Sequence, residues 1–571
     1  MAISLRIFMN KASQFCIVCL TLLSLFISSQ AWAPSQRDLD AAIHDGDFAA
    51  YFTNLSAWLS QQVPADPIRI SEEAMKPLLN NPVFVSALDQ RQFMFKHGLA
   101  ELEAFARADP TNQAFLPWLL KNRQALDLYL EGAVPVGIKA REQNSYKLSA
   151  KSLEIWKNIL NADPEAKEGL YLRLTIATAL RPPGTGNRGA GMQATPSDPV
   201  VRYQHFKFAH QSRELFPSFD RLTVWELQHV VSSCASESDL SWAREMINTW
   251  RPDLRKNEQV VNSTSEVKYG KPLHPFTDYK SVLSAGGQCG PRSSWSVMVC
   301  QAFGIPAIGV GQPGHACVAF KAADPASQPQ PGSAWKVAYG RGWQVSKIEG
   351  LSGPDFLAGV EERSRAAEFS LVEHLRWLAS ALASTEQAAA VMKVAHAIQK
   401  SAPSVKTDLT ASAKADEAEK ELSPAKREPA RTPSAQAPVT LGAGVTRVEA
   451  AGFFSQSGVR VLDCFTGGKQ VNFEKNNQSS WIDYTFDVPA SGTFSIELKA
   501  ATPNNDQVLN LSSGTNRLAM INVPNSTGLW GTTPATDIRL EKGTQTLRIS
   551  APFQRGVALR HLELKRKDER R

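Results

Sequence analysis

The sequence predicts a multidomain α+β protein, with a helical N-terminal region, a segment of short strands around one helix, and a C-terminal β-sandwich. Three observations lead there. The 571 residues exceed what one hydrophobic core organises, so roughly two to four domains are expected. In the first half, apolar residues recur at helical spacing, as in Leu240, Ala243, Ile247 and Trp250, which mark one face of a helix. Beyond Leu441 apolar positions alternate, as in Trp481 to Val488 and Thr544 to Ile549, between clusters of Gly, Asn, Pro and Ser. That is the pattern of half-buried strands.

The N-terminus reads as a secretory leader over residues 1–33. Arg6 and Lys11 supply positive charge, Phe15 to Ile27 an apolar run, and Ala31-Trp32-Ala33 a small-residue cleavage site. The run is shorter than the roughly 20 residues a membrane-spanning helix needs, so no span is expected after cleavage. The formal charge of +7 loses two units with Arg6 and Lys11. The remainder is too weak and dispersed to suggest a nucleic-acid partner.

Residues 34–255 are expected to be helical. Leu153, Trp156, Ile159 and Leu160 form one stripe, and Asp239 to Trp250 another, with Ser238 or Asp239 as N-cap. The breaker-rich Pro182 to Gly191 reads as a surface or cleft-edge loop, since no Gly-Lys-Ser/Thr follows to bind phosphate. Residues 256–400 hold the short strands and their helix, with trailing helices. Residues 401–440, rich in Ala, Lys, Glu, Pro and Ser, read as a disordered linker between independently folding parts. Residues 441–571 form the sandwich.

Of seven cysteines, Cys16 and Cys19 belong to the leader, leaving Cys234, Cys289, Cys300, Cys317 and Cys464. An odd number in an exported chain leaves at least one thiol unpaired. Cys300 and Cys317 fall on apolar periodicities and read as core. Cys289 differs. Gly286 and Gly287 permit a tight turn before it, and Trp295, Met298, Val299 and Ala302 give helical spacing after it. A cysteine opening a helix meets the positive end of the dipole and unpaired amides, which favour a thiolate and can hold an oxyanion. His315 opens a strand downstream, and a histidine can take the thiol proton and return it to a leaving amine. Trp295 and Trp343 are cleft-lining candidates with an equally good structural reading. His97, His205, His210, His229, His274, His374 and His396 show no partner pattern.

Gly287-Gln288-Cys289, Gly304-Ile305-Pro306-Ala307 and Gly314-His315-Ala316, in that order, resemble the transglutaminase-like superfamily. The resemblance covers roughly a hundred residues. It implies a papain-like fold with Cys289 as nucleophile and His315 as general base, acting on a protein or peptide amide. Such enzymes include crosslinking enzymes, cysteine peptidases and a deglycosylating amidase. Family members usually carry an Asp on the next strand, but here that strand reads Trp335-Lys336-Val337-Ala338-Tyr339-Gly340, without an acid. Asp324 in the preceding loop, or a carbonyl or amide, is left to orient His315.

In the last domain, Arg447 to Ala450, Ser480 to Pro489, Ser491 to Phe494, Gly528-Leu529-Trp530 and Val557 to Leu564 together resemble the galactose-binding-like jelly-roll sandwiches of carbohydrate-binding modules, particularly the sixth family. The resemblance implies that Trp530 stacks on a sugar ring, while Trp481 reads as core. Glu449 matches an acid that helps hold structural calcium in the family, but its late partner is replaced around His561, so no cofactor is assigned. Two functions follow. One is a secreted, periplasmic or cell-surface thiol enzyme directed by a glycan-binding module. The other is a catalytically inactive cell-surface or extracellular glycan- or protein-binding protein.

Overall fold

A computed structural model describes residues 35–186, 195, 197–256, 259–271, 278–322, 334–401, 437–473, 479–551 and 556–567. The leader at 1–33, nearly all of the linker at 401–440, Asp324 and His274 lie outside the described residues. No helix among the described residues is long and apolar enough to cross a membrane. The chain falls into two compact units, drawn from Met1–Lys157 with Glu362–Ser404 and from Asn158–Glu361 with Val405–Arg571. The sequence boundary at 255/256 therefore lies inside the second unit. Five helices matter below: α1 (Pro82–His97), α2 (Arg123–Ala133), α3 (Glu237–Trp250), α4 (Cys289–Ala302) and α5 (Ala366–Ala381).

The first unit is helical throughout its described residues. Its helices start where local chemistry dictates. Asn81 caps α1 by accepting from the Val83 amide at 3.0 Å, and Pro82 takes the first helical position, where its missing N–H costs nothing. Helices α2 and α5 both pack on α1.

In the second unit the expected stripe of α3, Leu240, Ala243, Ile247 and Trp250, is buried. The N-cap is Ser236 and not Ser238 or Asp239: its hydroxyl accepts from the Asp239 amide at 3.1 Å, so the helix begins earlier than the apolar spacing alone indicated. Helix α4 is buried along nearly its whole length, the mark of a central helix. It packs against a five-stranded sheet ordered β3-β2-β1-β4-β5. The strands are β1 (Ala307–Gln312), β2 (His315–Lys321), β3 (Trp335–Ala338), β4 (Lys347–Ile348) and β5 (Leu351–Ser352), and every neighbouring pair is antiparallel.

The sandwich, also in the second unit, pairs two sheets. One holds β7 (Val445–Glu449), β9 (Val459–Asp463), β10 (Lys469–Phe473), β12 (Gly492–Ala501), β15 (Gly531–Thr532), β16 (Thr536–Leu540) and β18 (Val557–Arg566). The other holds β6 (Val439–Thr440), β8 (Ser455–Ser457), β11 (Ser480–Val488), β13 (Gln507–Ser513), β14 (Asn516–Val523) and β17 (Gly543–Ala551). Inward residues at every second position, among them Ile482, Tyr484, Phe486, Leu547 and Ile549, fill the core between the sheets. The buried Tyr484 hydroxyl finds its partner in the Ala450 carbonyl at 2.7 Å.

The sandwich does not stand apart from the helix-and-sheet segment, as the linker composition led us to expect. It seats on the C-terminal end of α3. The Gln470 side-chain amide donates to the Thr249 carbonyl at 3.1 Å, and that of Asn472 to the Trp250 carbonyl at 2.9 Å. These are carbonyls that the end of a helix leaves without intrahelical donors, and both amide side chains are buried. Trp242 donates its indole N–H to the Thr527 carbonyl at 2.9 Å, and Arg460 pairs with Asp253 at 2.7 Å. A Cβ at Gly528 would meet Met246 at 2.4 Å, so only glycine fits that close approach.

Candidate active site

The turn that delivers Cys289 is built from its two glycines. Gly286 has φ 77, and a Cβ there would lie 2.6 Å from the Lys268 carbonyl oxygen. Gly287 donates to that carbonyl at 2.9 Å and accepts from Gly270 at 3.3 Å. Gln288 is then the N-cap and Cys289 the first helical residue of α4. No side chain caps this helix start, and Pro291 at the third position has no N–H. The amides of Cys289 and Gly290 are thus among the early N–H groups that this helix start leaves without intrahelical acceptors. Cys289 is half-buried, whereas the other described cysteines are buried, and all five are free thiols.

His315 opens β2 after a two-residue turn, Pro313-Gly314, with Gly314 at φ 68 and His315 opposite Gln312. The Ser293 hydroxyl donates to the Cys317 carbonyl at 2.6 Å. Ser293 is one helical turn beyond Cys289 on the same face, and Cys317 is the next residue on the same side of the strand as His315. This bond ties α4 to β2 one helical turn beyond Cys289 and two residues beyond His315. Cys317 registers the neighbourhood: burial pushes its thiol up to about 12, with Arg341 opposing and Cys289 adding to the rise.

The ring of His315 is oriented by backbone. Its Nε2 lies 2.6 Å from the carbonyl oxygen of Tyr339, the residue immediately after β3. A carbonyl only accepts, so Nε2 carries the proton, and in the neutral ring Nδ1 is left as the acceptor. Of the orienting groups that the sequence leaves open, a main-chain carbonyl holds this nitrogen. Tyr339 has φ 56, a left-handed conformation uncommon for a residue with a side chain. Its buried hydroxyl donates to the Val261 carbonyl at 3.3 Å, and the Arg292 guanidinium lies 5.6 Å from its ring centre. Behind it, a Cβ at Gly340 would sit 2.5 Å from the Cys317 sulfur. Gln312 ties the two loops together, accepting from the Arg341 amide at 2.9 Å and donating to the Gly342 carbonyl at 3.1 Å and the Ser346 hydroxyl at 3.0 Å.

Trp295 and Trp343 are both buried and do not line a cleft as open surface. Trp295 donates to the Ser263 hydroxyl at 3.0 Å beneath α4. A separate cavity of about 690 Å³ lies where the sandwich meets the helices, lined by His210, Arg213, Phe216, Asp220, Arg255 and Phe465 among others, and it contains neither Cys289 nor His315.

On the sandwich, Trp530 is half-buried in the loop that docks on α3, with the Arg560 guanidinium 5.9 Å from its ring centre. Trp481 is not core. It alternates outward from Ile482 and Tyr484 and stays half-buried, because its strand presents every second residue to the outer face of the sheet. The Arg548 guanidinium lies 3.9 Å from its ring centre and is itself held by both oxygens of Asp483 at 2.8 and 2.9 Å. Ser550 and Asn510 continue this face across β17 and β13. Sequence reading missed it, since alternation shows that two faces exist but not which one the second sheet covers. Glu449 stands opposite His561 in the β7–β18 register and pairs with Arg447 at 3.1 Å. An imidazole and a guanidinium are poor company for calcium, which takes oxygen ligands.

The family described as "Carbohydrate binding module (family 6)" matches residues 449–565. No curated protein matches the chain. Among solved structures, the chain is similar to the C-terminal family-6 module of LamC, a marine laminarinase from Zobellia galactanivorans, at 22% identity over 21% of this chain and 99% of that one, with a TM-score of 0.20. It is similar to a family-6 module of Cellvibrio mixtus lichenase 5A in complex with cellotriose, at 22% identity over 22% and 99%, TM-score 0.20. A β-1,3-glucan-binding family-6 module from Bacillus halodurans gives 16% identity over 23% and 99%, also at TM-score 0.20. Residues 449–565, within the C-terminal sandwich, are thus similar to carbohydrate-binding modules of the sixth family.

Proposed function

We propose that this chain is an exported thiol enzyme acting on amide bonds, a peptidase or amidase, with Cys289 as nucleophile and His315 as general base. The C-terminal module directs it to glycan-bearing substrate. The observation that carries the reading is the bond from His315 Nε2 to the Tyr339 carbonyl. It fixes the tautomer a general base requires and holds the ring without a carboxylate. The fusion of this segment to a carbohydrate-binding module supports a substrate outside the cell or on its surface.

In this mechanism Nδ1 of His315 takes the Cys289 thiol proton, and the sulfur adds to the amide carbonyl carbon. Charge on the carbonyl oxygen is received by the early amides of α4. The imidazolium gives its proton to the departing amine, and a thioester remains. Water deprotonated by Nδ1 then opens the thioester and regenerates the thiol. An amine in the place of water would give transfer instead. Activity profiling against cell-wall peptides, glycoproteins and casein tests the proposal. Turnover that disappears in Cys289→Ala is expected; equal rates in the two proteins, or none in either, would leave the chain a glycan- or protein-binding protein.

A further inference from the structure

Three helices of the first unit bring together side chains that no sequence pattern connects: Asp89 from α1, Asp127 from α2 and His374 from α5. One ligand atom from each lies within 4.8 Å of the others. The imidazole Nε2 stands 3.1 Å from Asp89 Oδ1 and 3.5 Å from Asp127 Oδ1. We propose that this cluster is a binding site for one divalent transition-metal ion of the zinc class, held by His374 Nε2 and a carboxylate oxygen from each aspartate.

Four features argue for a cation. First, His374 Nδ1 lies 2.7 Å from the Ser370 carbonyl oxygen, which fixes the proton on Nδ1 and turns the Nε2 lone pair toward the carboxylates. A carbonyl or carboxylate partner on the far nitrogen is how a metal-ligating histidine is usually oriented. Second, a lone pair facing two carboxylates is repulsive unless a proton or a metal lies between them. Of the two separations, that to Asp89 is within hydrogen-bond reach and that to Asp127 is beyond it. They match the spacing of adjacent ligand atoms around a tetrahedral ion with bonds of about 2.0–2.1 Å, which is about 3.3 Å.

Third, the Asp89 side chain is 0% exposed, yet its Oδ2 has no hydrogen-bond partner, and neither does the buried Asp127 Oδ1. Buried polar oxygens are rarely left so. Fourth, two carboxylates carry one more charge than a protonated imidazole can neutralise, and a dication matches them. Around the cluster, Trp377 packs on the His374 ring at 4.7 Å, while Arg123 and Glu131 are its other charged neighbours. Asp127 is partly exposed, at 28%, so the ion would have a side open to solvent. Facing side chains in the core of a helical bundle are a common setting for such sites.

The test uses the full chain, stripped with chelator and titrated with Co²⁺ as an optical probe and with Zn²⁺, alongside Asp127→Asn and Asp89→Asn. Asp127→Asn changes a partly exposed residue and is chosen to keep the fold, checked by circular dichroism. The wild type should hold one more equivalent of Co²⁺ than the folded Asp127→Asn protein, with visible d–d bands and no added thiolate charge-transfer band, and Zn²⁺ should bind at least tenfold more weakly to the variant. Equal metal content in the folded variant and the wild type would overturn the proposal. So would a wild type that retains no ion, in which case the cluster is a histidine–aspartate ion pair only.

Discussion

Nε2 of His315 and the carbonyl oxygen of Tyr339 are 2.6 Å apart, and Tyr339 presents that oxygen from a left-handed backbone conformation at φ 56. Such a conformation costs roughly 1–2 kcal/mol for a residue with a side chain. Here the ring and hydroxyl of the same residue are anchored in the interior, so packing holds the oxygen where the imidazole needs it.

Gly340→Ala tests that support. The added Cβ would lie 2.5 Å from the Cys317 sulfur and 3.0 Å from the Gln312 side-chain nitrogen, so the loop must move. Overpacking of this kind costs about 1–3 kcal/mol, too little to unfold a domain of this size. The expected outcome is a folded protein whose Cys289 alkylation rate and amide turnover both fall at least tenfold. Unchanged rates with an unchanged melting curve would show that the Tyr339 carbonyl does not position His315.

Thiol labelling should be selective. Cys234, Cys300, Cys317 and Cys464 are buried and Cys289 is half-buried, and burial pushes the Cys300, Cys317 and Cys464 thiols upward. Peptide mapping after brief iodoacetamide treatment at neutral pH should find the label on Cys289 and less than a tenth as much on any of the other four. Equal labelling of Cys464 would contradict the packing described.

The seating of the sandwich on α3 predicts coupled unfolding. Asn472→Ala and Gln470→Ala each remove a buried donor to a helix-terminal carbonyl, at a cost of about 1–3 kcal/mol. Calorimetry should show the sandwich melting earlier and apart from the rest of the second unit. Deletion of 441–571 should lower turnover of a small soluble amide as well, because it uncovers Trp242 and Trp250. Full activity and solubility of the truncated chain would mean that the contact is dispensable.

The same contact should weaken in acid. Burial alone would raise the Asp253 carboxyl, but hydrogen bonds and charge from Arg251 and Arg460 outweigh it and hold it down at about 2. A carboxyl lower in the folded than in the unfolded state contributes stability above its ordinary value near 3.8, and loses it as pH falls through the folded one. The loss should therefore run from about pH 4 to about pH 2 and amount to roughly 2 kcal/mol. Asp253→Asn should flatten the stability profile in that window. An identical profile for wild type and variant would count against the pairing.

Two indoles on the sandwich should separate by experiment. Trp481→Ala should weaken retention on an insoluble glycan about fivefold or more, as loss of an aromatic platform of roughly 1 kcal/mol implies, with no change in melting temperature. Trp530→Ala should weaken retention and also lower the melting temperature, because its loop carries the Thr527 and Gly528 contacts to α3. Retention unaffected by Trp481→Ala would remove the outer sheet face from consideration.

By itself the sequence determined what is local. A Gly-Gly turn followed by apolar residues at helical spacing started α4 at Cys289. Gly304 ended it, and period-two alternation wrote the strands of the sandwich. Backbone sterics and side-chain period decide such features within a few residues, so they are legible without partners. The tertiary structure decided what depends on residues far apart in the chain. It chose a carbonyl and not a carboxylate for His315, because main-chain oxygens carry no signature in the sequence. It turned Trp481 outward, since alternation names two faces and only the second sheet says which one is buried. It seated Gln470 and Asn472 on the end of α3. It also set His374 beside Asp89, 285 residues away, where only the packing of three helices could bring an imidazole and two carboxylates to one point.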